Sequence, residues 1–180
     1  MSASPDSASH TFDASGRSIR LSPWPADLTS TLGRAMTPVW KRFGAAHKSL
    51  YLASGGRIGD RLLGIPMLLL STRGRKTGLV RTMPLAYLPD PETPDTCVIV
   101  ASNGGSPRPP AWWLNLQATD RATVQVGTQS YWARASVAPA ERRSSLWQQL
   151  RSEIPPYRVY EQIEREIPIV LLERLGPDEQ

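Results

Sequence analysis

The chain has 180 residues, 21 Lys and Arg against 16 Asp and Glu, one cysteine, two histidines and a net charge of +5. A lone Cys97 excludes an internal disulfide framework and a cysteine zinc cage, and two histidines within the first 50 residues argue against a histidine-centred metal or acid–base site. The longest apolar run, Ile65 to Leu70, is far short of the roughly 20 residues of a membrane span, and Met1–Gly16 has no basic n-region or apolar h-region, so a soluble cytoplasmic protein is expected.

Residues 1–25 are rich in Ser, Ala, Pro and Asp and are expected to form a disordered tail. From Asp27 to about Leu52, Leu28, Leu32, Met36, Val39, Trp40, Phe43, His47, Leu50 and Tyr51 recur at three- and four-residue steps. That spacing predicts an amphipathic helix with Asp27 as N-cap and Pro38 as a kink. Such a helix either lies over the domain core or rests on a membrane surface, since Lys41, Arg42 and Lys48 fall between its apolar positions. Residues 26–56 are therefore read as helix and glycine linker, and residues 57–176 as the main domain.

In the main domain Pro66–Thr72 reads as a buried strand, 73–78 as a turn and Val80–Leu88 as the returning strand. Cys97–Ala101 is a β-prone run that leads into Asn103-Gly104-Gly105-Ser106-Pro107, a turn that demands unusual backbone angles. Pro110 suits the start of a short helix, Ala111–Ala118. Ala122–Gly127 and Ser130–Ala138 alternate as a second hairpin, a helix runs from Pro139 to about Glu153, and a short helix follows Pro155-Pro156 through Ile163. Pro168–Leu172 is the last strand. Six short, mostly antiparallel strands with helices between them predict a mainly β, α+β fold: a small barrel with helical decoration.

Divided along the chain, residues 1–56 carry +3, residues 57–81 carry +5 and residues 82–180 carry −3. The surplus sits with Arg57, Arg61, Arg73, Arg75, Lys76 and Arg81, which points to a local anionic partner or to a solvated basic hairpin. Gly74-Arg75-Lys76-Thr77 is not a nucleotide phosphate loop, because Arg75 and not glycine stands immediately before the lysine and the segment joins two strands. No histidine in the main domain supports a catalytic triad, and no carboxylate pair stands out from the solvated acids of the last third. What remains is a basic turn, a glycine turn and Trp112-Trp113, parts that would suit a planar heterocycle with an anionic tail. At least one of the two tryptophans is expected in the core, since neighbours in a helix face different ways.

The run Leu68-Leu69-Leu70-Ser71-Thr72-Arg73-Gly74-Arg75-Lys76-Thr77-Gly78, followed by Arg81 and Pro84, resembles the signature of the deazaflavin-dependent nitroreductase family. Val100-Ala101-Ser102-Asn103-Gly104-Gly105 with Pro110–Leu116, then Val124–Gly127, then Ile154-Pro155-Pro156-Tyr157 through Val170 continue the likeness in order and spacing. The resemblance implies an FMN-binding split-barrel-like fold, an actinobacterial source and reduced coenzyme F420 as hydride donor to a quinone, enone or nitroaromatic-type acceptor. It implies that Arg75, Lys76, Thr77 and Arg81 hold the phosphate and acidic tail. It further implies that Thr82, Met83, Pro84, Leu85, Ala86, Val100, Ala101, Ser102 and Asn103 meet the deazaflavin ring, and that Ala111, Trp112, Trp113, Leu114 and Asn115 close over the cofactor. It implies too that Tyr157 lines the place where acceptor meets ring, with Ala86, Ile154 and Tyr160 on the substrate side, and that Ser102, Tyr157 or water supplies a proton.

Relatives that reduce nitroimidazoles carry tyrosines where this chain has Ala86 and Ile154, and often lysine at the position of Asn103. A larger, less polar acceptor pocket follows from those differences. The competing readings are a split barrel that binds FMN or haem, and a non-catalytic module that holds a lipid or fatty acid. One basic hairpin without an aromatic strand face is a poor nucleic-acid module. No metal site is expected. The partner expected is a small planar apolar substrate, with a membrane surface as the alternative to the domain core for helix 27–52, and the chain is expected to be a monomer, free in the cytoplasm or on the cytoplasmic face of the membrane.

Overall fold

Period-two alternation sets the architecture. In Ile65–Arg73 (β4), Leu68 and Leu70 point to the barrel interior, while Met67 and Leu69, also buried, point to the other face. The structure is a computed structural model that describes residues 11–12, 18–19, 46–163, 165–176 and 178. It divides into two units, Met1–Lys41 and Arg42–Gln180. In the first, Thr11–Phe12 (β1) and Ser18–Ile19 (β2) pair antiparallel, with Thr11 opposite Ile19. Most of the expected tail and most of the expected helix 27–52 lie outside the described residues; of that helix, 46–53 (α1) is described and is helical.

The second unit adds Arg61–Leu62 (β3), Val80–Ala86 (β5), Leu88–Pro89 (β6), Thr96–Val100 (β7), Arg121–Val126 (β8), Gln129–Val137 (β9) and Ile169–Arg174 (β10). Its antiparallel sheet runs β3-β4-β8-β9-β10-β7-β6, with β5 paired to β4. Five of these strands, β4, β7, β8, β9 and β10, match the sequence reading closely. The exception is the run expected as one strand, Val80–Leu88. Tyr87 interrupts it: β5 pairs with β4, Met83 opposite Leu70, whereas β6 pairs with β7, Leu88 opposite Val98. One segment thus changes partner at Tyr87 and joins the two ends of the sheet into a barrel.

Leu70, Ile99, Val124, Val170 and Leu172 fill the interior together with Trp112, Trp113 and Leu116 from Ala111–Thr119 (α2). Each such side chain contributes about 1.5–3 kcal/mol on burial. On the outer face Ala140–Glu153 (α3) lays Leu146 and Leu150 against Val98, Val100, Ile169 and Leu171. Arg142 fixes the start of α3 to the chain after β6 through paired hydrogen bonds to Asp90, one of them 3.1 Å long. The segment after Pro155-Pro156 is 3-10 helical over Pro155–Gln162, since two prolines remove two donors from its first turn.

Tyr51 of α1 is fully buried, and its hydroxyl accepts the Gly127 N–H at 2.8 Å. A Cβ at Gly56 would strike the Gly127 carbonyl, so only glycine lets the linker run so close to the β8–β9 turn. Among the described residues no helix is long and apolar enough to cross a membrane.

Candidate functional site

The path β4-β8-β9-β10-β7 takes four antiparallel steps, so β4 and β7 run in the same direction. Their C-terminal ends, which carry the basic turn and the glycine turn, therefore lie at one end of the barrel. Continuing the register of Leu88 with Val98 sets Ala86 opposite Val100. Beyond that point β5 pairs with β4 alone, and the chain leaving β7 makes its last link to β10's lead-in, Ala101 N–H to Pro168 O at 3.0 Å. The barrel is split between these two strands. Its lips are Val80–Ala86 on one side and Val100–Asn103 on the other, each offering backbone groups that the sheet does not use.

The register also sorts the cations. Arg81 stands opposite Thr72, on the face that carries Leu70, Met83 and α2. Thr82 stands opposite Ser71 on the other face, where their hydroxyls bond each other at 2.7 Å. Arg75, Lys76 and Thr77 form the exposed tip, closed by Gly74 N–H to Leu79 O at 2.9 Å. Among the described residues no carboxylate pairs with Arg75, Lys76 or Arg81. Asn115, only 4 % exposed, accepts the Arg75 N–H at 3.1 Å and donates to Thr72 Oγ1 at 3.1 Å. The helix and the basic tip are thereby locked together.

Trp112 and Trp113 do not diverge as expected. Both are buried in the interior cluster and meet edge-to-face with centroids 6.4 Å apart. The helix caps the barrel end, so an arc wide enough for two neighbouring positions faces inward. Ala111 is exposed and Leu114 half-buried. Met83, Leu85 and Ala101 also face the interior, while Pro84 is half-buried on the opposite face of β5.

The residues expected on the substrate side gather on the outer face. Ala86, Tyr157 and Tyr160 pack against the cluster that contains Val100 and Ile154. Ile154 is 1 % exposed at the end of α3. The Tyr157 and Tyr160 rings lie 5.4 Å apart, and burial first, with the neighbouring Tyr160 second, pushes the Tyr157 phenol well above its ordinary ionisation range. A Cβ on Gly105 would come within 3.1 Å of Ile163 Cδ1 and 3.8 Å of Tyr160 Cε1, which places the glycine turn against this tyrosine pair. A groove of about 310 Å³, bordered by Trp147, Tyr160, Ile163 and Arg165, opens beside it. Ser102 is buried, and its hydroxyl makes no hydrogen bond to a described residue.

Two contributors escaped the sequence reading. Thr72 is an ordinary strand threonine until the fold brings Asn115 to it. Arg165 stands between Glu164 and Glu166 in what reads as solvated charge, yet its guanidinium reaches the glycine turn.

Residues 43–174 match the family model described as F420H(2)-dependent quinone reductase. The chain is 38 % identical over 133 residues to the F420H(2)-dependent quinone reductase Rv1261c of Mycobacterium tuberculosis, covering 71 % of this chain and 87 % of that one. A solved F420-H2 dependent reductase (FDR-A) is 32 % identical, with a TM-score of 0.53 over 60 % of this chain and 94 % of its own. A second solved structure, described as a domain-swapped dimer, is 30 % identical with a TM-score of 0.55 over 76 % of this chain and 98 % of its own. The fold is thus shared with a solved F420-H2 dependent reductase and most of the sequence with the family model: the chain belongs to the F420H(2)-dependent quinone reductase family.

Proposed function

We propose that this chain moves a hydride from reduced coenzyme F420 to a quinone, and that planar enones and nitroaromatics are further acceptors. The observation that carries this reading is the split between β5 and the end of β7, with unpaired cations at the same end of the barrel. The donor set fits the coenzyme. A flat deazaflavin ring suits a slot whose lips are backbone, and its phosphodiester, carboxylate and oligoglutamate tail suit Arg75, Lys76 and Arg81. When bound, the coenzyme supplies the hydride.

The chain's own residues bind, orient and dry the site. Arg75, Lys76, Thr77 and Arg81 hold the tail. The backbone of Thr82–Ala86 and Val100–Asn103 borders the ring, and Ala111 and Leu114 close over it, with Trp112 and Trp113 as a rigid floor and Asn115 holding the helix to the basic tip. Ala86, Tyr157 and Tyr160 line the acceptor side and keep water away, with Ile154 packed behind them. Tyr157 stays protonated at neutral pH and offers its hydroxyl as a hydrogen-bond donor to the reduced acceptor, with the Ser102 hydroxyl as the second donor.

We read the protein as a cytoplasmic monomer that meets the membrane, where quinones partition, through its residues 27–52, most of which lie outside the described residues. Vesicle flotation of the full chain tests that contact. The activity itself is tested by following oxidation of reduced F420 with a menaquinone analogue, a cyclic enone and a nitroaromatic. Quinone-dependent turnover is expected. No acceptor-dependent oxidation, or a purified protein coloured by FMN or haem, overturns the reading.

A further inference from the structure

Where β7 ends, the backbone leaves the sheet while still buried: Ala101 is 0 % and Ser102 7 % exposed. Carbonyl groups there need donors from the protein. Arg165 provides them. Its Nη2 donates to Ala101 O at 3.2 Å and to Ser102 O at 2.6 Å, and its Nε donates to Ser106 O at 2.9 Å. One guanidinium therefore spans the glycine turn from its first residue to its last.

The consequence lies on the opposite side of those peptides. In a trans peptide the carbonyl and the following N–H point in opposite directions. A grip on Ala101 O and Ser102 O thus aims the N–H groups of Ser102 and Asn103 the other way. Ser102 is right-handed (φ −74, ψ −30) and Asn103 left-handed (φ 51), an alternation that curls successive N–H groups into a concave nest for an anion or a carbonyl oxygen. Among the described residues, the N–H groups of Ser102, Asn103 and Gly104 donate to no protein acceptor, whereas the Gly105 N–H is spent on Ser102 O at 3.0 Å. A permanently charged guanidinium on the carbonyl side also polarises these peptides and strengthens the donors.

We propose that Arg165 is a positioning residue for the coenzyme site: it fixes the 101–103 peptides so that their N–H groups face an oxygen or an anionic edge of the deazaflavin ring. This rests on the proposed coenzyme reading. Arg165 touches no reactant; it acts through the turn.

The test uses the full chain with Arg165→Met and Arg165→Lys. In coenzyme-free protein, the Ser102 and Asn103 amide resonances are expected to shift in both variants. With oxidised F420 followed by tryptophan fluorescence, R165M should raise the Kd and the coenzyme KM about tenfold, the scale of one charge-assisted hydrogen bond, while the quinone KM stays within about twofold. R165K, which keeps the charge on a single donor atom, should fall between R165M and wild type. A folded R165M with wild-type Kd and unmoved amide resonances overturns the proposal. If R165M does not fold, wild-type affinity in R165K overturns it. A wild-type chain that binds no coenzyme overturns the functional reading and the ligand assignment together, which separates that failure from a failure of Arg165 alone.

Discussion

Asn115 holds the basic turn to helix α2: its Oδ1 accepts the Arg75 N–H and its Nδ2 donates to Thr72 Oγ1, each at 3.1 Å. Both ends of this buried amide are therefore spent inside the protein, and its part in cofactor binding is to fix where Arg75 and its neighbours stand. Asn115→Leu strands two polar groups and should cost about 1–3 kcal/mol of stability. It should also weaken coenzyme binding while the quinone KM holds. Denaturant melts and a coenzyme titration check this; a destabilised variant with unchanged affinity would show that the tip orders itself.

The phenols set an alkaline limit. Burial raises the ionisation of Tyr51, Tyr87, Tyr131 and Tyr157 above the ordinary tyrosine value of 10. The folded chain then keeps protons that the unfolded chain releases, so stability is full below about pH 10 and falls as pH rises beyond it. Thermal melts across pH 8–11, roughly, should show that fall. Tyr157→Phe should lower kcat with little change in coenzyme Kd, and the pH–rate profile should show no ionisation from Tyr157 below the usual tyrosine value.

At the acid end the decisive pair is Asp90 and Arg142. Burial pushes the Asp90 carboxyl up, but hydrogen bonds from Arg142 and the Glu92 N–H, with the Arg142 charge, outweigh it and hold the group below its ordinary 3.8. That contribution is present above the unfolded value and is lost as pH falls through the folded one, below about pH 4. Arg142→Met leaves a buried carboxylate unpaired and should cost about 3 kcal/mol near neutral pH. An equilibrium unfolding series from pH 3 to 7, roughly, measures both effects.

The substrate side separates two positions that look alike in sequence. Ala86 is half-buried at the lip, whereas Ile154 is 1 % exposed between α3 and the sheet. Ala86→Tyr should fold normally and raise the KM for bulky quinones. Ile154→Tyr should overpack the outer cluster and cost about 1–3 kcal/mol. Steady-state kinetics and melting temperatures of the two variants give the comparison.

Much of this was legible in the residues. The continuous apolar run within Ile65–Arg73, alternation over Arg121–Val126 and Gln129–Val137, the glycines of the two turns and Pro110 ahead of α2 announce strands, turns and a short helix through local rules. The partner change at Tyr87 was not legible. Pro84 marks the run as a strand with one unpaired edge but gives no sign of a switch at Tyr87; the change from β4 to β7 is forced by barrel closure. The same holds for Arg165 and Thr72, whose roles depend on contacts 59 and 43 residues away along the chain. The charge surplus near residues 73–81 pointed to an anionic partner, but only the register shows that Arg81 faces α2 while Thr82 faces away.

The central claim is that the split and the basic tip form one coenzyme site, and equilibrium binding of oxidised F420 tests it most directly. Titration of the full chain, followed by tryptophan fluorescence, should saturate at or below tens of micromolar, roughly −6 to −8 kcal/mol. Lys76→Ala and Arg81→Ala should each weaken binding by about 1–3 kcal/mol. No saturation in that range, or wild-type affinity in both variants, would contradict the account.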